Sequence, residues 1–196
     1  MKAWLWAGMI GLVSLGMWLS CGSTATDQTE EGAVRTLDMA RDITLSVFRE
    51  MEQFVLEKQL QLGLNGQKAI RLEASWTADG EARRGVIYVI EQPTLFHVVY
   101  YNAPAKGDLY DAGIEAFQRM LSTLRPSAYA GPLQVVQDGA ERTLRCAELM
   151  MELRFPSSWV YALDEVNRAI VFSGPKNEPS WLTTVNISVI RKKINP

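Results

Sequence analysis

The chain has 196 residues, with 20 Lys and Arg against 22 Asp and Glu and a formal net charge of −2. No global field favours nucleic acid or an acidic lipid surface, so a nucleic-acid partner is not expected. About 160 residues follow the N-terminal stretch of residues 1–35, the usual size of one domain.

Met1 and Lys2 precede an apolar run from Ala3 to Leu19, and Ser20 closes it. A basic start, an apolar stretch and a small residue before the break are the parts of a secretory signal peptide, here residues 1–20. Because Cys21 comes next, the segment resembles the signal of a bacterial lipoprotein. That resemblance implies that Cys21 becomes the acylated first residue and holds the membrane. Ser20 fits the usual pattern, whereas Trp18 stands where such signals carry Leu, which bears on cleavage efficiency. Gly22-Ser23 lacks the Asp that resembles an inner-membrane retention signal, so the implied address is the outer membrane, facing the periplasm. Two other readings stay open. One is an uncleaved anchor, since the apolar run is near the ~17-residue limit for spanning. The other is plain secretion, with Cys21 an ordinary thiol. Residues 21–35 read as the lipidated cysteine and a flexible tether, polar from Ser23 to Gly32.

Residues 36–196 read as a single α+β domain. From Thr36 the apolar residues Leu37, Ala40, Val47, Met51 and Phe54 fall at helical spacing, which predicts an amphipathic helix ending before Gly63. Mixed charges on its polar side favour packing on a core over binding a membrane surface. Asn65-Gly66 is a turn. Ala69–Trp76, Arg84–Glu91 and Leu95–Asn102 then alternate as three strands of an antiparallel meander, with a turn over Ala78–Glu81. Tyr110–Leu124 returns to helical spacing, and Arg125-Pro126 stops it. Ser127–Glu141, rich in turn formers, joins two halves. Leu149–Phe155, Trp159–Leu163, Ala169–Phe172 and Leu182–Arg191 read as further strands. These pieces fit one largely antiparallel sheet packed with two helices.

Candidates for chemistry are few. Cys21 and Cys146 are the two cysteines. With Cys21 acylated, Cys146 is an unpaired thiol on the core side of a strand; without acylation, a Cys21–Cys146 disulfide competes. His97, the single histidine, lies inside a predicted strand and reads as structural. A Cys146/His97 nucleophile pair and a metal site are both disfavoured, since no second histidine is present to help bind a metal. Asp164, Glu165 and Asn167, and likewise Lys176-Asn177-Glu178, lack calcium-loop spacing and read as turn residues. No nucleophile elbow, phosphate loop, zinc motif or dinucleotide fingerprint is present, so no catalytic residue, metal or cofactor is expected.

Leu153-Arg154-Phe155-Pro156-Ser157-Ser158-Trp159, then Ile170–Pro175, then Thr184–Val189, resemble the opening of PsbP-type and DcrB-like domains. Gly66–Ile70, Phe96–Ala103 and Ile114–Leu124 resemble the middle strand, late strand and closing helix of such domains. The order is reversed, as a circular permutation would give. The resemblance implies a sandwich in which Phe155, Pro156 and Trp159 form a structural turn motif, Pro156 fixing the backbone and Trp159 burying its ring.

The expectation is a lipid-anchored cell-envelope interaction module without enzymatic activity, meeting an envelope protein through a sheet edge or loop. Two alternatives stand beside it. A carrier of a small apolar ligand or lipid requires a concave apolar pocket, and a hydrolase requires a cleft holding His97 beside a carboxylate or Cys146.

Overall fold

The computed structural model describes residues 34–164 and 167–193. The expected signal peptide, Cys21 and most of the expected tether lie outside the described residues.

Helix α1, Leu37–Phe48, begins where the Thr36 hydroxyl accepts a hydrogen bond from the Met39 backbone N–H. That contact satisfies one of the orphan donors of the first turn. Its buried stripe is Ala40, Thr44, Leu45 and Phe48. The helix expected to continue towards Gly63 therefore ends much earlier, and Glu52–Leu64 is strand β1. The reason is a register shift between Leu56 and Lys58. Phe54 and Leu56 pack on the α1 side of the sheet, whereas Leu62 and Leu64 pack on the opposite side. A bulge that flips the phase of a strand erases its single period of two.

Strands β2 (Gln67–Ala78), β3 (Glu81–Glu91) and β4 (Leu95–Pro104) follow as the expected meander. Asn65-Gly66 and Asp79-Gly80 both have positive φ at their two central residues, the hairpin turn whose twist matches that of the strands. Helix α2 spans Leu109–Thr123. Short strands β5 (Arg125–Pro126), β6 (Gln134–Asp138), β7 (Glu141–Cys146) and β8 (Met151–Pro156) come next. β9 (Val160–Asp164), β10 (Ala169–Ser173) and β11 (Thr184–Arg191) complete the chain.

A seven-stranded sheet runs β1-β2-β3-β4-β11-β10-β9, and a four-stranded sheet runs β5-β8-β7-β6. All pairings are antiparallel. With two helices, 53% strand and 19% helix, the fold class is α+β. Two features differ from the sequence reading. A second sheet exists, and the joining segment Ser127–Glu141 contains β6, whose residues are mostly exposed.

Alternation across the large sheet sets three layers. On one face Ile70, Leu72, Ala74, Trp76, Ile87, Val98 and Tyr100 receive Leu45 and Phe48 of α1. Phe48 meets Trp76 and Tyr100 edge-on, at 5.7 and 5.3 Å between ring centroids. On the other face one apolar cluster joins β3, β4, β10 and β11 to α2 and to the small sheet. Gly113 lets α2 approach that face, since a Cβ there would lie 2.7 Å from Thr183 Oγ1 and 2.8 Å from the Tyr101 hydroxyl.

The β1–β2 turn also ends α2. Asn65 Nδ2 donates to the carbonyls of Leu121 and Leu124, both at 3.0 Å, filling acceptors that a helix end leaves open. Asn65→Ala is expected to lower unfolding free energy by about 1–2 kcal/mol, read from denaturant midpoints. An unchanged midpoint would show that water serves these carbonyls equally well.

Candidate functional site

The pairings Ile87↔Tyr100, Tyr100↔Asn186, Asn186↔Val171 and Val171↔Ala162 place these residues in one row across the α1 face. α1 packs on the β2, β3 and β4 end of that row. Beside the helix, over β11 and the start of β10, a concave groove of about 360 Å³ remains. That volume lies within the ordinary range for small-ligand sites.

The groove has three kinds of wall. Ile43 and Val47 of α1 and Ile190 of β11 supply apolar flanks, and Ile43 is 38% exposed. Tyr100, Asn186 and Ser188 supply the floor, and Arg168 and Arg191 stand at the end where β11 finishes and β10 begins. Tyr100 is 6% exposed, and its hydroxyl has no hydrogen-bond partner among the described residues. Burial alone pushes its pKa above the usual tyrosine range. The ring is buried but the hydroxyl is not fully enclosed, so it opens onto the groove, where solvent or a ligand can meet it. Asn186 Nδ2 donates to Thr184 Oγ1, which also accepts from Asn102 Nδ2, and Asn102 Oδ1 accepts from Arg83. A polar strip thus continues along the sheet from the groove floor.

The residues singled out by sequence fall elsewhere. His97 is fully buried on the opposite face, with Nε2 2.7 Å from the Leu149 carbonyl oxygen. The carbonyl only accepts, so Nε2 carries the proton. Nδ1 is then left buried without a partner, and burial lowers the His97 pKa. A base for hydrolysis must reach substrate, and this side chain lies in no cleft. Cys146 is buried in the same cluster, and desolvation raises its thiol pKa. Native Cys146 is therefore expected to resist thiol reagents, reacting only at the unfolding rate. Rapid labelling at neutral pH without denaturant would contradict that placement.

Phe155 and Trp159 are buried in the cluster that α2 shares, with Pro156 half-buried between them. The Arg142 guanidinium lies 4.6 Å from the Phe155 ring centroid and donates to the Trp159 carbonyl. Asp164 accepts from the Asn167 backbone N–H at 3.0 Å and from its Nδ2 at 2.6 Å, closing a turn. Glu165 lies outside the described residues. Among the described residues, no group of three His, Cys, Asp or Glu is placed to hold a metal, and no helix is long and apolar enough to cross a membrane.

Fold and groove together define an antiparallel α+β sandwich with one half-covered sheet face. No family model, curated protein or solved structure matches the chain.

Proposed function

We propose that this chain is a lipid-anchored envelope protein whose domain binds a small apolar or amphipathic molecule, without catalysing a reaction on it. The observation that carries this reading is the concave groove beside α1, apolar on its flanks and floored by the Tyr100 hydroxyl, which has no hydrogen-bond partner among the described residues. It favours the carrier over the protein-partner module, because a module needs only a compact core and an exposed patch. Acylation of Cys21 would hold the protein on the outer membrane facing the periplasm, and the scaffold would be a PsbP/DcrB-like sandwich in permuted order.

The partner-binding reading keeps one supporting feature. β9 is the outer strand of the large sheet, and Val160 at its start is 45% exposed, an edge open to strand addition.

Native mass spectrometry of the full chain extracted from membranes tests the proposal. A bound small molecule is expected on the wild type and absent from Ile43→Trp, whose indole fills the groove from the exposed side of α1. A ligand-free wild type, or a ligand retained in Ile43→Trp, would overturn the carrier reading. The same spectrum weighs the N-terminus, and an unacylated Cys21 would remove the anchor.

A further inference from the structure

The ends of the groove differ in chemistry, and the difference specifies a ligand. Asn186 and Arg191 are five residues apart on one strand, about 17 Å at the rise of an extended chain. Near Asn186 the groove presents polar, uncharged groups, the Tyr100 hydroxyl among them. At the other end stand Arg168 and Arg191, whose side chains make no ion pair or hydrogen bond among the described residues. Asp164, a described carboxylate of the β9–β10 turn, has both oxygens engaged by Asn167. Among the described residues, no carboxylate neutralises the charge there.

Arg168 carries a further mark. It has φ of +48° in that turn, a conformation that costs a branched or long side chain more than it costs glycine. A long cationic side chain is nonetheless placed there, beside apolar walls formed by Ile43, Val47 and Ile190.

Resting on the carrier reading above, we propose that the groove's ligand is a long-chain carboxylate. Its head pairs with Arg168, its chain runs along α1, and a polar group near its far end meets Tyr100. Guanidinium forks match carboxylate geometry and hold it through charge-assisted hydrogen bonds. The apolar flanks remove the chain from water, and the Tyr100 hydroxyl gains the partner it lacks.

The test is calorimetric titration of the full chain in phospholipid nanodiscs, with empty discs subtracted, below the micelle concentration of each probe. Three probes share a chain of one length: dodecanoate, dodecanol and 12-hydroxydodecanoate. Dodecanoate is expected to bind about 10- to 100-fold more tightly than dodecanol, and the hydroxylated acid more tightly than dodecanoate. The substitution Arg168→Gln, on an exposed side chain, is expected to erase the first difference and leave dodecanol unchanged. Tyr100→Phe is expected to erase the second. Equal affinities for dodecanoate and dodecanol in the wild type would overturn the carboxylate assignment while leaving the groove as a binding site. Binding of all probes that survives Ile43→Trp would overturn the groove itself.

Discussion

Gly85→Val is expected to destabilise the domain by about 3 kcal/mol, among the larger costs for a single added side chain in a packed core. Gly85 lies in the middle of β3, paired with Ala74 and Asn102. A Cβ at this position would sit 2.6 Å from Trp76 Cη2 and 2.7 Å from the Tyr101 carbonyl oxygen. The carbonyl belongs to the neighbouring strand and cannot yield without breaking the sheet. The indole can yield only by leaving its edge-on contact with Phe48, which seats α1. Guanidinium denaturation should therefore show a lowered midpoint, and near-ultraviolet dichroism a changed tryptophan environment. Because α1 forms one flank of the groove, ligand binding is expected to fall as well. Gly63→Ala serves as the control, since nothing lies within 4 Å of the Cβ it would add. Its effect should stay within about 0.5 kcal/mol. A Gly85→Val protein as stable as that control would mean that β3 and β4 are farther apart than described.

The second large effect is on pH. His97 is the single histidine of the chain, which makes its contribution separable. In the unfolded chain a histidine titrates near 6.5, and in the folded protein burial lowers that value. Between the two, the unfolded state binds the proton and the folded state does not. Stability is then fully present above about pH 6.5 and is lost as pH falls towards the folded pKa, with a slope of up to about 1.4 kcal/mol per pH unit. The physical cost is a second ring proton on Nδ1, where the structure offers no acceptor. Unfolding free energies at pH 7, 6 and 5 should therefore decline for the wild type and stay nearly level for His97→Gln. Gln keeps an N–H for the Leu149 carbonyl. Identical slopes in the two proteins would show that water or backbone movement accommodates the charged ring. The carboxylate of Glu152, held below its usual range first by Arg145 and then by Arg125, titrates at lower pH and leaves this window clear.

The meander was legible because β2 and β3 alternate cleanly and their turns carry Asn-Gly and Asp-Gly. α2 was legible for the matching reason, an apolar face of 3.6 period stopped by Pro126. β1 was not. Its bulge shifts apolar residues from one face to the other, and Val55 and Leu60 remain exposed, so its pattern imitates a continuing helix. β6 escaped because it is an edge strand with little to bury. The burial of His97, Phe155 and Trp159 follows directly from apolar surroundings visible in the sequence. The groove could not be read, since α1, β4, β10 and β11 supply it from distant parts of the chain. One signal was present: Asn186 and Ser188 alternate with Val185, Ile187 and Val189. That polar face suggests solvent, yet Asn186 is 5% exposed, and a buried asparagine on a central strand is the stronger clue.

Val34 accepts a hydrogen bond from the Lys193 backbone N–H, two residues beyond Arg191, and packs in a cluster that Ile190 also touches. The start of the folded domain and the charged mouth of the groove are therefore neighbours. Twelve residues separate Cys21 from Val34, a contour of at most about 45 Å. With Cys21 acylated as proposed, the mouth samples a small hemisphere above the bilayer. A single ligand molecule emerging there is present at an effective concentration on the order of millimolar. Under the carrier proposal, modest intrinsic affinity would then suffice for capture.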